Sequence, residues 1–297
     1  MPSSTTHSSR PTGISDRTGG GFANVLCAID GFPDSRAAVA QAAALTAAAG
    51  RLTLLAVTSF RTGVDRGSPA VGPGEAKETI DGAVEILKRA GIEHDVEVDV
   101  EVDPAGPPSH VVLDWAAGRG LLAIGAPKSS TLGAVFVKGV GDYALGSFTT
   151  PLLIARPTPG GGRFAERILI ASDALERSQE MVDVAGCLAR DEHSSVTLLH
   201  ATGSERGVRA HGADEHERRI EEQTQRLREL TGGLVESRLA PAGARTAILD
   251  TAREVDASLI VMSSRRLKGM RTLGSVSRHV AHHAHCSVLL IAPEHDN

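Results

Sequence analysis

Short apolar segments recur along the chain, and each is followed by a stretch whose apolar residues have helical spacing. The first unit, NVLCAIDGFPDSRAAVAQAAALTAAAG, predicts a strand ending in Asp30 and an alanine-rich helix that begins near Ser35. The stretch RILIASDALERSQEMVDVAGCLARDE has the same arrangement, with Asp173 and Ser178 at the matching positions. The pattern therefore indicates an internal repeat.

The later strands repeat in the same order. RLTLLAVTS is matched by SVTLLHATG, LLAIGAPK by LIVMSSRR, and TPLLIARP by CSVLLIAPE. HDVEVDVEV and LVESRLA are predicted to be the middle strands of the two copies. The first of these alternates apolar and acidic residues, which indicates a strand near a sheet edge with one face in water.

Helical patterns separate the strands. They cover residues 75–90 and 213–230, recur in SHVVLDWAAGRG and RTAILDTAREVD, and precede each final strand. Alternating strands and helices with right-handed crossovers form parallel sheets covered by helices on both faces. We therefore predict an α/β protein with two tandem, doubly wound, five-stranded parallel sheets of Rossmann-like type.

The predicted parts are a disordered tail (1–21), a first domain (22–157), a linker (158–163) within PTPGGGRFAE, and a second domain (164–294). In doubly wound sheets, ligands bind beyond the carboxyl ends of the strands where the strand order reverses. This rule indicates the ends of VLCAID and LLAIG in the first domain, and of ILIASD and LIVMS in the second.

The chain resembles the universal stress proteins in their tandem form. The resemblance is carried by AIDGFPDSRAAV, LTLLAV, LLAIGAPK and LIVMSSRRLKGMRTLGSVSRHVAHHAHCSVLLIAP. It implies that PLLIARP and VLLIAP pair antiparallel, so that the chain is an intramolecular pseudo-dimer, and two chains are candidates to form a homodimer. It also implies a candidate ATP site, with an aspartate near the adenine and ribose.

In the nucleotide-binding branch of this family, the fourth strand leads into a glycine, two residues, a second glycine, nine residues, and Gly-Ser or Gly-Thr. Such glycines let the backbone approach phosphates, and helix N-terminal amides hold the anion. In the first domain Gly125 matches the first glycine, but Lys128 replaces the second, and Lys138-Gly139 replaces the helix start after nine residues. The number of residues between these positions therefore matches the family pattern, but the residue types at two of the positions differ from it.

In the second domain Ser263 replaces the first glycine, Arg266 replaces the second, and only seven residues precede the helix start. That start keeps amides and hydroxyls at Gly274, Ser275, Val276 and Ser277. The cations Lys128 and Arg266 either bind a phosphate through the side chain or fill its space. If one domain binds a nucleotide, the second is favoured.

Two further patterns have alternative explanations. Asp30 and Asp173 are either nucleotide contacts or caps for the following turn, while Ser35 and Ser178 are typical helix-start residues. The basic loop RRLKGMR is an anion or partner site, or a solvated loop.

Histidines and cysteines suggest no metal site. The residues His279 and His283 share a helix face without an acidic third ligand at helical spacing, so a solvated face is favoured. Cys27, Cys187 and Cys286 are far apart and lie in apolar stretches, which indicates buried free thiols and fits a reducing cytoplasm.

The composition and the absence of known motifs disfavour several classes of function. A net charge of -5 and 3% aromatic residues disfavour nucleic acid, and no apolar run is long enough for a membrane span or signal core. No common hydrolase or P-loop motif occurs, so no catalysis is expected.

We expect a cytoplasmic stress-response module that binds or regulates an unknown protein partner. The alternatives are a working ATP sensor with slow or no hydrolysis, and an interaction protein that binds no nucleotide.

Overall fold

The computed structural model describes residues 21–30, 33–57, 73–92, 97–103, 108–126, 150–203, 213–263 and 275–291. The first half of the chain contributes β1 (Phe22–Ile29), α1 (Pro33–Ala44), β2 (Thr46–Val57), α2 (Pro73–Arg89), β3 (Glu97–Asp103), α3 (Pro108–Ala116), β4 (Leu121–Gly125) and β5 (Leu152–Ala155). The helix predicted before the last strand of this half lies outside the described residues.

The second half repeats this order. Its elements are β6 (Arg167–Ser172), α4 (Gln179–Asp191), β7 (Ser195–Gly203), α5 (Ala213–Thr231), β8 (Val235–Gly243), α6 (Ala244–Glu254), β9 (Leu259–Ser263), α7 (Ser275–His283) and β10 (Ser287–Ile291). A short 3-10 turn, Pro159–Gly161, lies in the glycine-rich stretch between the halves. The predicted alternation of strands and helices is confirmed.

The two predicted sheets join into one. The strand order is β3-β2-β1-β4-β5-β10-β9-β6-β7-β8, and neighbouring strands are parallel except at the centre. There β5 and β10 pair antiparallel, with Leu153 opposite Leu289. The predicted pairing of the final strands is therefore present, and it fits a pseudo-dimer within one chain.

The central strands are apolar because the sheet is covered on both faces. Residues on one face pack with α1, α2, α4 and α5, and residues on the other pack with α3, α6 and α7. Leu153 and Leu289 belong to the first layer, and Ile154 and Leu290 to the second. Each core layer thus runs across the junction between the halves.

The composition of the alanine-rich run after Ser35 predicts a continuous helix, but only the first part of the run is helical. The helix α1 ends at Ala44, and the chain enters β2 at Thr46, where it pairs with Phe22 of β1. A Cβ on Gly50 would lie 2.9 Å from the Ala47 carbonyl oxygen, so the backbone is tightly folded there. Tertiary pairing with β1 overrides the helix propensity of alanine.

The strand β3 lies at one edge of the sheet, as its alternating sequence predicts, and β8 lies at the other. In each half the strand order reverses between the first and fourth strands, at β1 and β4 and at β6 and β9. These reversals position the candidate sites.

Candidate functional site

The carboxyl ends of the paired strands bring predicted site residues into two groups. Ala28 is opposite Ile124, so Asp30 follows β1 beside the end of β4, where Gly125 is the last strand residue. Asp30 is exposed, whereas Gly125 is half-buried. The first group therefore has the position expected of a ligand site.

In the second group, Asp173 follows β6 and Ser263 ends β9. The two strands are in register through Ala171 and Met262, one residue before Ser172 and Ser263. Asp173 and Ser263 therefore lie at the same carboxyl end of the sheet, each beside the strand that carries the other.

The Asp173 carboxylate has local partners for both oxygens. Oδ1 accepts a hydrogen bond from the Ser178 hydroxyl at 2.5 Å and one from the Leu175 N–H at 3.2 Å. Oδ2 accepts from the Arg177 guanidinium at 3.0 Å, and the side chain is 17% exposed. This geometry favours the turn-capping explanation over the nucleotide contact for Asp173.

Ser178 directly precedes α4, and Ser35 is buried in the first turn of α1, so both lie at the helix starts where the sequence predicts them. The hydroxyl of Ser178 makes no hydrogen bond to the helix amides. The hydroxyl donates its hydrogen bond to Asp173 instead, and this bond connects the end of β6 to the beginning of α4.

The helix start Ser275, Val276 and Ser277 forms the first turn of α7. Ser275 is exposed, Val276 packs against the core, and Ser277 is 3% exposed. The Ser277 hydroxyl donates a hydrogen bond to the Ser263 carbonyl oxygen at 3.4 Å. Because the first amides of a helix have no partner within the helix, this contact holds a potential anion site at the end of β9.

Several predicted site residues lie outside the described residues. They are the two cations that replace glycines and the remaining positions of the two loops: Lys128, Lys138, Gly139, Arg266 and Gly274. The basic loop RRLKGMR also falls outside. The second half thus offers the more complete described group, with Asp173, Ser263 and the start of α7.

Sequence reasoning missed a buried polar cluster beside Asp173. The Ser172 hydroxyl donates to Gln223 Oε1 at 2.7 Å, and His200 Nδ1 lies 3.0 Å from the Ser172 carbonyl oxygen. A carbonyl oxygen only accepts, so Nδ1 carries the proton of the neutral ring. The His200 ring also meets the edge of His216, with centroids 5.2 Å apart.

Burial is the main cause that lowers the pKa of His200. The hydrogen bond to Ser172 and the charge of Asp173 raise the pKa, whereas His216 lowers it further. The repeat does contain a signal for this cluster. At the positions where the first half has the apolar residues Ile29 and Ala56, the second half has the polar residues Ser172 and His200.

The rings of His279 and His283 stack with centroids 4.1 Å apart on α7, on one face as predicted. Within the ranges that the structure describes, no group of three His, Cys, Asp or Glu residues is placed to hold a metal. Nor does any helix there have the length and apolar character of a membrane span.

The three cysteines are free thiols. Burial raises the pKa of both Cys27 and Cys286 to about 12, so these thiols remain protonated, and Cys187 is half-buried. The predicted free state of the thiols is confirmed, and Cys187 is less buried than expected.

The two halves each match one family description. Residues 21–156 and 165–292 both match the Universal stress protein family. The chain belongs to the universal stress protein family. Its tandem organisation, predicted from the repeat, is confirmed by the double match.

Solved structures show the same fold. A universal stress protein from Archaeoglobus fulgidus, 18% identical, covers 90% of this chain and 97% of its own, with a TM-score of 0.63. A candidate universal stress protein from Pseudomonas aeruginosa, 16% identical, covers 93% and 95%, with a TM-score of 0.62.

Universal stress protein Sll1388 of Synechocystis sp. is 50% identical to this universal stress protein over 46 residues. The match covers 15% of this chain and 30% of the relative's own length. The similarity is therefore local.

Proposed function

We propose that this universal stress protein is a stress-response module that binds an adenine nucleotide in its second half and regulates a protein partner without catalysis. The first half has a degenerate site and takes no nucleotide. The cytoplasm is the proposed location, because the thiols are free and two of them are held protonated by burial.

One observation carries the proposal. The Ser277 hydroxyl bonds to the end of β9, so the first turn of α7 lies beside the reversal of strand order, and the first amides of a helix, which have no partner within the helix, are typical anion-binding groups. Ser275 is exposed in the same turn. These residues suit the phosphate end of ATP, whereas Asp173 already has local partners.

The first half differs in its sequence. Lys128 and Lys138 stand where the family pattern has a glycine and the glycine that opens the last helix. A side chain at either position removes the close backbone approach that glycine allows. The alternative function is an ATP sensor with slow or no hydrolysis in which Lys128, Lys138 or Arg266 binds phosphate instead.

Calorimetric titration with Mg-ATP tests the proposal on the full chain. We expect saturable binding with one nucleotide per chain, weakened by Ser277→Ala and unaffected by Lys128→Gly. Two nucleotides per chain, with one lost in Lys128→Gly, would favour the alternative sensor.

No binding by the parent chain would refute the proposal. A gain of binding in Lys128→Gly or Arg266→Gly would then indicate that the cations fill the former site. Release of inorganic phosphate from ATP, measured over hours with the same samples, tests the absence of catalysis. Steady release that requires the folded protein would contradict it.

A further inference from the structure

The junction between the halves contains a closed ring of hydrogen bonds around Arg156, the residue after β5. The Gln41 amide donates to the Arg156 carbonyl oxygen at 2.7 Å, and its Oε1 accepts from the Ser287 hydroxyl at 2.7 Å. The Ser287 hydroxyl in turn accepts from the Arg156 N–H at 3.0 Å. Gln41 and Ser287 are 4% and 1% exposed, so the ring fixes the backbone of Arg156 inside the protein.

The guanidinium of Arg156 extends from this fixed backbone into the second half. It donates to the Ala281 carbonyl oxygen at 2.5 Å and to the Cys286 carbonyl oxygen at 3.3 Å. Ala281 lies in the last turn of α7. The last carbonyls of a helix have no partner within it and attract cations, so Arg156 satisfies the C-terminal end of α7.

The helix α7 is therefore held at both ends by contacts of different origin. Ser277 binds its first turn to the end of β9, and Arg156 of the first half binds its last turn. A helix of nine residues has little stability of its own, so its core packing through Val280 and Ala281 and these two end contacts together determine its position.

The arrangement exists on one side of the junction. In the register by which β5 pairs with β4 and β10 pairs with β9, Leu153 corresponds to Leu289, so Arg156 corresponds to Ala292 and Ser287 to Pro151. The residue matching Gln41 in α4 is Val184. Alanine and valine have neither a guanidinium nor an amide side chain, so the residues at the matching positions of the second half cannot make the same contact to the first.

We propose that Arg156 is a positioning residue: the first half uses its guanidinium to hold α7, whose first turn is the anion site of the second half. The second half is then the binding half, and the first half supports its site. The consequence for ligand affinity rests on the proposed function, whereas the positioning of α7 does not.

Hydrogen exchange of the full chain tests the positioning. Arg156→Met keeps the apolar stem and removes the guanidinium, and Arg163→Met removes an exposed bond of the same type to the Glu192 carbonyl oxygen at the end of α4. Loss of a charge-assisted hydrogen bond corresponds to roughly tenfold faster exchange or more. We expect this increase in residues 275–283 for Arg156→Met, and a smaller increase confined to residues 179–191 for Arg163→Met, because the Arg163 bond is exposed.

Mg-ATP titration of the same variants tests the effect on the site. We expect Arg156→Met to weaken binding several-fold, Arg163→Met to match the parent, and Arg156→Lys to restore part of the affinity. Unchanged exchange in α7, or an equal increase in α4 and α7 for Arg156→Met, overturns the proposal. So does parent-like affinity of Arg156→Met for Mg-ATP.

A parent chain that binds no Mg-ATP refutes the proposed function alone. The exchange comparison then decides whether Arg156 positions α7.

Discussion

The imidazole of His200 illustrates how burial changes the chemistry of one residue. Its pKa is lowered chiefly because the charged ring would lose water. In an unfolded chain the ring binds a proton near about pH 6.5. Below that pH the unfolded state binds more protons than the folded state, so the free energy of unfolding falls as the pH drops toward the folded pKa.

We predict that His200→Gln makes stability less dependent on pH. Urea unfolding at about pH 7.5 and about pH 5.5 should show a smaller difference for this variant than for the parent. Part of the dependence remains, because burial also lowers the pKa of His285. Equal slopes in His200→Gln and the parent would contradict the prediction.

Asp173 provides a second residue-scale prediction. Asp173→Ala removes the acceptor for Ser178, Leu175 and Arg177, which we expect to lower the free energy of unfolding by about 1–2 kcal/mol. Chemical denaturation measures the change. If Asp173 instead served mainly as a nucleotide contact, the variant would keep its stability and lose affinity for Mg-ATP.

At this scale the sequence predicts positions better than partners. The repeat places Asp173 after a strand and Ser178 at a helix start, and both are there. It does not predict that the Ser178 hydroxyl bonds to Asp173, because that depends on the backbone of the turn. Nor does it predict the contact of Ser172 with Gln223, which comes from an element 51 residues away.

Two helices differ in how closely they are packed at a glycine. In α4, a Cβ on Gly186 would lie 2.6 Å from Leu230 Cδ1 and 3.2 Å from Leu227 Cδ2, both on α5. In α2, a Cβ on Gly82 would meet nothing within 4 Å. The small residue is therefore required for packing only in α4.

We predict opposite outcomes for the same substitution at these two glycines. Gly186→Val should lower the free energy of unfolding by roughly 1–3 kcal/mol, because it overfills the contact with α5. Gly82→Val should change it by less than about 0.5 kcal/mol, because helix propensity differs little. Thermal or urea unfolding compares the two, and equal losses would show that α5 does not restrict Gly186.

Element order is readable from the periodicity, but element ends depend on contacts. The predicted helix 75–90 is observed at Pro73–Arg89, and 213–230 at Ala213–Thr231. The start of β2 at Thr46 escapes the prediction, since alanine-rich sequence favours helix and only pairing with β1 makes it strand.

The whole molecule has core layers shared by both halves. Leu153 and Leu289 pair across the junction, and residues of both halves occupy each layer. We predict one cooperative unfolding transition, with the calorimetric enthalpy equal to the van't Hoff enthalpy. Leu289→Glu should strongly destabilise both halves together. Two resolved transitions in the parent chain would contradict this prediction.

The ten-stranded sheet could be predicted only in part. The repeat gives two five-stranded units, and the family resemblance gives the pairing of their last strands. The ring of Gln41, Arg156 and Ser287 could not be predicted, because these residues are far apart in sequence and fit no motif.

Antiparallel pairing of β5 with β10 has a geometric consequence. All strands within a half run the same way, so the strands of the second half point opposite to those of the first. The carboxyl ends of β1 and β4 therefore lie at one rim of the sheet, and those of β6 and β9 lie at the other. One small molecule cannot bridge both rims, so the two candidate sites are separate from each other.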